Sequence, residues 1–314
     1  MSIKDMNNKI VVNLKQNWEM YFIAIIVISV FIVGFYSFFL KPQICDIITF
    51  QNSHLKKAIE KDTHIINISR QQAKDIKKLS IKSKTGFENL YDLKHFTNLE
   101  ELEVSGCSLE SLDGIENLEK LTTLKCNSNN IEDISAVYGL NVKSIDLSNN
   151  NISDISNIAS HLKQLEILNI NNCEITGEVY LGRSDSLKQV DISSNFVSQL
   201  SGEVPNLQIL NCSDNCIEDI NHLIRFSQLK ELRLSDNKVN SINGIGKLEN
   251  LELLAIENTE VKDINKLKNI KKLNSIYIDA EIDRSQLDFM VDNFKTGDVA
   301  TKKYMLKHRY KFLD

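Results

Sequence analysis

Apolar residues recur along this chain in an eleven-residue frame, Leu-x-x-Leu-x-Leu-x-x-Asn-x-Ile, that restarts about every 22 residues. Leu229, Leu232, Leu234, Asn237 and Val239 make one unit, and Leu251, Leu254, Ile256, Thr259 and Val261 make the next. Units begin at Ile76, Leu99, Leu121, Val142, Leu165, Leu187, Leu207, Leu229, Leu251 and Leu273. Alternation through the first six positions predicts a short strand with one buried face. A unit this small cannot bury its apolar side alone, so the array predicts stacked coils that share a continuous core.

Position 9 of the frame reads Lys84, Cys107, Asn129, Asn150, Cys173, Asn195, Asn215, Asn237 and Thr259. An Asn amide both donates and accepts, so at the turn it can satisfy backbone groups of neighbouring coils. Cys and Thr are weaker donors of suitable size, while Lys84 cannot substitute and marks a degenerate first unit. Beyond the strand, most units place apolar residues every third position, as in Leu112, Ile115 and Leu118 or Ile242, Ile245 and Leu248. A period of three predicts a 3₁₀-like return. Two consecutive units break that rule, at Gly177-Glu178-Val179-Tyr180-Leu181-Gly182 and Ser201-Gly202-Glu203-Val204-Pro205, which predicts a locally extended convex wall across 177–205 or a partner site there. Period and signature together define the leucine-rich repeat class. The expected fold is an α/β solenoid with a parallel β concave face, 3₁₀-like convex returns and helical caps. Such a surface favours recognition over chemistry.

Met20 to Leu40 is 21 residues without a charge. As a helix it would measure roughly 32 Å, close to the thickness of a bilayer's hydrocarbon core. Trp18 and Tyr21 stand near one end and Tyr36 near the other, as interfacial aromatics would. The block is longer than a signal peptide's apolar region, and Lys41-Pro42-Gln43-Ile44 offers no small-residue cleavage site, so an uncleaved signal anchor is expected. Lysines before the block (Lys4, Lys9, Lys15) and after it (Lys41, Lys56, Lys57) balance, and the short head favours an N-terminus held inside. The expected organisation is a cytoplasmic head over 1–19, a membrane span over 20–40, a helical cap over 45–75, about ten repeats over 76–281, and a C-terminal cap with a basic tail over 282–314.

The segment ahead of the repeats carries a more specific pattern. Ile48-Thr49-Phe50, Leu55-Lys56-Lys57-Ala58-Ile59-Glu60, Ile68-Ser69 and Asp75-Ile76-Lys77-Lys78-Leu79 resemble the helical N-terminal cap of internalin-like bacterial leucine-rich repeat proteins. Phe96-Thr97-Asn98-Leu99-Glu100-Glu101-Leu102 and Leu112-Asp113-Gly114-Ile115-Glu116-Asn117-Leu118 are similar to the repeats of that family. The resemblance spans roughly residues 47–281. It implies a protein-binding solenoid displayed outside the cytoplasmic membrane. The anchor expected here precedes the repeats, where the family commonly places its anchor after them.

Outward strand positions form columns along the array. Position 5 reads Ser80, Glu103, Lys125, Asp146, Asn169, Asp191, Asn211, Arg233, Ala255 and Tyr277; position 7 reads Lys82, Ser105, Asn127, Ser148, Asn171, Ser193, Ser213, Ser235, Glu257 and Asp279. This predicts a small, polar, solvated surface. Its C-terminal end alone mixes apolar, aromatic and charged groups, in Arg233, Leu253, Ala255, Glu257 and Tyr277, and Tyr and Arg are residues that concentrate binding energy. That patch is the expected site for a protein partner. A structural or scaffolding role in an envelope assembly, through the convex segment or the tail, is the alternative.

The remaining chemistry is sparse. Six histidines are scattered without a nucleophile or metal-ligand spacing, so no enzyme activity, metal, cofactor or small-molecule substrate is expected. A net charge of −5 gives no nucleic-acid surface. Cys107 and Cys173 fall at position 9, Cys126 and Cys212 at position 6, with no two in one column of adjacent units, which predicts buried thiols. Asn67, Asn151 and Asn211 begin Asn-x-Ser sequons. Ser285–Val291 reads as a short capping helix. The tail from Lys295 carries six cations against one Asp through Lys311, with Tyr304, Met305, Leu306, Tyr310 and Phe312 interleaved, a composition suited to a solvated cap extension or to a membrane-surface or partner segment.

Overall fold

A computed structural model describes residues 22, 25–35, 46–82, 86, 88–279 and 286. The chain divides into two units, one of residues 1–49 with 66–73 and one of residues 50–65 with 74–314. In the first, Ile47 and Ser69 form an antiparallel bridge and the Ile48 N–H donates to the Ile68 carbonyl at 2.9 Å. Residues 25–35 are helical with exposed side chains. No helix among the described residues is long and apolar enough to cross a membrane, and much of the expected 20–40 span lies outside them.

The second unit holds the repeats. Ten strands form one parallel sheet: β1 (Lys78–Ile81), β2 (Glu101–Val104), β3 (Thr123–Lys125), β4 (Ser144–Asp146), β5 (Ile167–Asn169), β7 (Gln189–Asp191), β9 (Ile209–Asn211), β10 (Glu231–Arg233), β11 (Leu253–Ala255) and β12 (Ser275–Tyr277). Each pairs with the next in unbroken register, so one unit's position 3, 4 or 5 sits against the same position of its neighbour. Beneath the sheet, the residues at positions 1, 4 and 6 are buried along the array except at its ends, where Ile76, Ile276 and Ile278 are partly exposed.

The Asn column performs the expected work. Asn237 is buried; its Nδ2 donates to the carbonyls of Cys212, Leu234 and Ser235 at 2.9–3.3 Å, and its Oδ1 accepts from Ile217 N–H at 2.9 Å. Asn129, Asn150, Asn195 and Asn215 repeat the pattern. Where the residue is Cys173, the thiol reaches the Leu147 carbonyl at 3.2 Å; Thr259 manages one bond, to Ile256 at 2.8 Å. Lys84 lies outside the described residues.

One residue before that column the chain turns through a left-handed conformation in each unit from Gly106 to Asn258: Ser128, Asn149, Asn172, Ser194, Asp214, Asp236 and Asn258 all have φ between 51° and 59°. Asn, Asp and Gly tolerate this region better than other residues. The returns then follow the period-three pattern as short 3₁₀ turns at Tyr91–His95, Ser135–Val137, Leu223–Arg225, Ile245–Lys247 and Asn265–Asn269.

Two units depart, as their sequence implied. β6 (Thr176–Arg183) and β8 (Phe196–Glu203) replace the 3₁₀ return with a separate two-stranded parallel sheet on the convex side. Gly182 is needed there: its φ is +93°, and a Cβ would fall 2.5 Å from the Ser160 hydroxyl.

The array is closed at its N-terminal end by α1 (Ser53–Thr63). Asn52 caps it, its Oδ1 accepting from His54 and Leu55 N–H at 2.9 and 3.0 Å, and Leu55 and Ile59 face inward. A buried carboxylate, Asp92, accepts from the Gln51 and Asn52 N–H groups at 2.9–3.1 Å and so ties the start of α1 to the first return. A shorter helix, α2 (Arg70–Asp75), precedes β1. At the other end Gln286 accepts from Ile264 N–H at 2.9 Å and donates to the Lys262 carbonyl at 3.1 Å. The rest of the expected capping helix and the tail lie outside the described residues.

Candidate functional site

Register brings four of the five residues of the sequence-derived patch onto three neighbouring strands. Arg233 of β10 stands beside Ala255 of β11, which stands beside Tyr277 of β12, and Leu253 lies between Glu231 and Ser275. Glu257 follows two residues after Ala255, on the same side of the strand. Arg233, Leu253, Glu257 and Tyr277 are partly exposed, and the Arg233 guanidinium lies 3.5 Å from a Glu231 carboxylate oxygen. Ala255 corrects the expectation of a contacting side chain: only 2% of it is exposed. Larger side chains flank it on both neighbouring strands, Arg233 on one and Tyr277 on the other.

The expectation of a solvated concave face also needs correction in the middle of the array. Ser148, Asp191, Ser193, Asn211, Ser213 and Ser235 are buried. Small polar residues set about 4.8 Å apart on adjacent strands shield one another, and here they also bond to one another. Asp146 Oδ1 accepts from Ser148 N–H and Oγ–H at 3.0 and 2.7 Å, and Asp191 Oδ1 accepts from Ser193 N–H and Oγ–H at 3.0 and 2.6 Å. Asn169 and Asn211 accept in the same way from the N–H groups of Asn171 and Ser213, each at 3.2 Å. Asn211 Nδ2 then crosses to Asp191 Oδ2 at 3.2 Å. Burial is the main influence on Asp191 and pushes its carboxyl above the usual range, against the pull of those hydrogen bonds and of Arg233.

The ladder stops at β10. Arg233 has no acceptor to offer, and the Ser235 hydroxyl lacks a partner among the described residues; so does that of Ser213, although Asn211 beside it carries an acceptor. Side-chain satisfaction of the concave surface therefore already lapses at the Ser213 hydroxyl, one coil before position 5 changes to Arg.

Column 3, which the sequence reading did not follow as a column, contributes more apolar surface. Ile167 is 40% exposed on the concave face, and Ile209 is partly exposed two strands further on. Their signal was available in the repeat itself, because position 3 faces the same way as position 5. The convex sheet also exposes large groups: Phe196 at 58% and Tyr180 at 40%, with the Tyr180 hydroxyl 3.4 Å from Glu203.

At the N-terminal end charges cancel. Lys77, Lys78 and Lys82 pair with Glu100, Glu101 and Glu103 at 2.8, 2.6 and 2.9 Å. An open cleft beside them, about 640 Å³, is lined by residues that include His54, Lys57, Lys61 and His64. No group of three His, Cys, Asp or Glu among the described residues is placed to hold a metal ion. Cys107, Cys126, Cys173 and Cys212 are buried free thiols. Burial raises the Cys173 thiol to about 11 and pushes Cys126 and Cys212 up as well, which keeps them protonated and unreactive. Cys45 lies outside the described residues. Asn211, first residue of a sequon, is too buried to serve as a glycan acceptor.

The repeated coil of one parallel strand and one convex return is the leucine-rich repeat fold, and comparison with known proteins agrees at the level of fold. The model of the family Leucine Rich repeats (2 copies) matches residues 97–139 and 140–179. Leucine-rich repeat and WD repeat-containing protein 1 of Xenopus laevis is 35% identical over 79 residues, a stretch that covers 23% of this chain and 11% of that one. Among solved structures, internalin C2 of Listeria monocytogenes superposes with a TM-score of 0.55 at 23% identity, over 73% of this chain and 94% of that one. The leucine-rich repeat domain of APL1B gives 0.55 at 19% identity, over 74% of each. The functional domain of InlJ of Listeria monocytogenes gives 0.54 at 22%, over 73% of this chain and 61% of that one. These likenesses establish the fold. Leucine-rich repeat domains in general mediate protein–protein interaction.

Proposed function

We propose that this chain is a membrane-anchored recognition protein of the cell envelope, binding a protein partner through the C-terminal end of its concave face. One observation carries the reading of the site. From β4 to β9 the Asp or Asn at position 5 accepts from the N–H two residues on, whereas on β10–β12 position 5 is Arg, Ala and Tyr, and Arg233, Leu253, Glu257 and Tyr277 are partly exposed. Aromatic and arginine groups beside apolar surface are what concentrate affinity. The uncharged stretch from Met20 to Leu40 supports the anchor, and its position after a short head supports an extracytoplasmic repeat domain. A binding role is the expected use of such an array, with no catalytic step, metal or cofactor involved.

Two measurements test the proposal. A photo-crosslinking amino acid at Tyr277 in living cells should capture a partner protein, while the same group at Ser105 should not; equal capture at both positions refutes the site. Protease added to spheroplasts should digest the repeats, and complete protection behind a sealed membrane would refute the topology. A scaffolding role through the convex side is the second reading, favoured by the exposure of Phe196 and Tyr180 on the β6–β8 sheet. Capture at Phe196 and not at Tyr277 would select it.

A further inference from the structure

Not all of the charge at the N-terminal end of the array cancels. The open cleft of about 640 Å³ lies between α1 and β1, and its lining carries His54, Lys57, Lys61 and His64 from the helix and its C-cap. The only carboxylate lining it among the described residues is Asp62, and that group is engaged: its Oδ2 accepts from the Ser80 N–H at 3.0 Å, which fastens α1 to the outer edge of β1. Lys82, at the far wall, is balanced by Glu103 at 2.9 Å. The other acid of α1, Glu60, stands 3.6 Å from Lys56, on a different stripe of the helix. Among the described residues neither Lys57 nor Lys61 has a carboxylate within ion-pair distance, and both are exposed.

Helix stability does not account for this arrangement. Residues 54, 57 and 61 fall at i, i+3 and i+7, one stripe of α1 beside the buried stripe of Leu55 and Ile59. The macrodipole favours cations at a helix C-terminus, which explains Lys61 and His64. It disfavours them toward the N-terminus, where His54 and Lys57 stand and no acid occupies the first turn. The chain as a whole carries a net charge of −5, so this gathering of cations runs against its composition. A cleft lined by one sign of charge focuses its field on an incoming ion. Its volume lies in the range that holds a small ligand. Lys57 and Lys61 are one turn apart, about 6 Å along the axis, so their ammonium groups can converge on one anionic centre. Each ammonium offers three N–H donors and each imidazole at least one. That supply suits the several acceptor oxygens of a phosphate better than the two of a carboxylate.

We infer that the cleft between α1 and β1 binds the phosphate group of an ester ligand, held by Lys57 and Lys61 with His54 and His64 from the two ends of the helix. The inference goes beyond the concave site, which lies at the other end of the array. Its test uses the full chain in micelles of an uncharged detergent, titrated with glycerol 3-phosphate and read by broadening of the ligand's ³¹P line. The salt is held at about 0.1 M, where only close charges count. Broadening should saturate at one ligand per chain. Lys57→Gln/Lys61→Gln should raise the dissociation constant roughly tenfold or more, through the loss of two charge-assisted contacts. Lys57→Arg/Lys61→Arg should keep most of the affinity. Lys266→Gln/Lys268→Gln removes the same charge from exposed positions on the last 3₁₀ return, Asn265–Asn269, and should leave binding unchanged. An unaltered thermal melt in the first variant would show that α1 is still docked. Repeating the titration in mixed micelles that carry dioleoylphosphatidylglycerol separates two sources of the phosphate. Displacement of glycerol 3-phosphate from the parent chain assigns the cleft to a lipid headgroup, and retention assigns it to a soluble ester. Absence of saturable broadening, or an equal loss of affinity in the two glutamine variants, overturns the inference. Either of those results leaves the concave reading standing, because crosslinking at position 277 is read separately.

Discussion

The middle and the C-terminal end of the concave face are built on the same strand frame and behave oppositely. Between β4 and β9, position 5 is Asp or Asn and position 7 is Ser or Asn, so each strand end closes on itself through a side chain that accepts from the backbone two residues on. On β10–β12, position 5 becomes Arg, Ala and Tyr, none of which carries a carboxylate or amide oxygen for that bond, and Arg233, Leu253, Glu257 and Tyr277 are partly exposed. A polar surface is therefore not the same thing as an available one. Binding capacity follows from which hydrogen bonds the fold has already used.

The largest expected effect lies beneath both regions and tests what they share. Asn150→Ala and Asn237→Ala should each destabilise the fold by about 1–3 kcal/mol, because each leaves buried backbone groups unpaired. Denaturant melts of the full chain in micelles would show equal losses at the two sites. A loss only at Asn150 would mean that the C-terminal coils are held together differently, which would undermine the comparison at its base.

Tyr277→Ala separates the two regions directly. Partner binding should weaken by roughly 2 kcal/mol, with the melt unchanged, since Tyr277 is only partly covered. Ser148→Ala should do the reverse: binding unaffected and stability lower by about 1 kcal/mol, the worth of one side-chain hydrogen bond. Equal effects of both substitutions on binding would show that the partner reads the whole face.

The smallest effect concerns Asp191, where the self-satisfied ladder meets Arg233. Its folded carboxyl titrates above the unfolded value because burial disfavours the charge. The sign follows from linkage: the group contributes fully below its unfolded pKa, and that contribution is lost as pH rises through the folded pKa. Asp191→Asn, which keeps the shape and removes the charge, should therefore be relatively more stable than the parent at pH 7 than at pH 3, by under about 1 kcal/mol. A difference independent of pH would mean that hydrogen bonding, and not burial, dominates at this carboxylate.

Much of this molecule was legible from spacing. The 22-residue frame located all ten strands of the main sheet, the inward columns, the buried thiols and the Asn ladder, because each follows from a chemical requirement that recurs once per coil. The break in the triplet rule at 177–205 marked the convex wall, since a stretch rich in glycine and lacking apolar residues every third position cannot make the 3₁₀ return. The patch on β10–β12 was visible as a change of residue type along two columns.

What the sequence by itself determined, then, is the repeat and everything that depends on one coil's own residues. Tertiary structure decided what depends on two coils at once. Whether Ser148, Asn211 or Ala255 faces solvent is settled by the size of the side chains on adjacent strands, and whether Asp191 is a charge for a partner or a member of a ladder is settled by Asn211 arriving from the next coil at 3.2 Å. Exposure and hydrogen-bond satisfaction are properties of neighbours, and for residues some 20 positions apart those neighbours are supplied only by stacking.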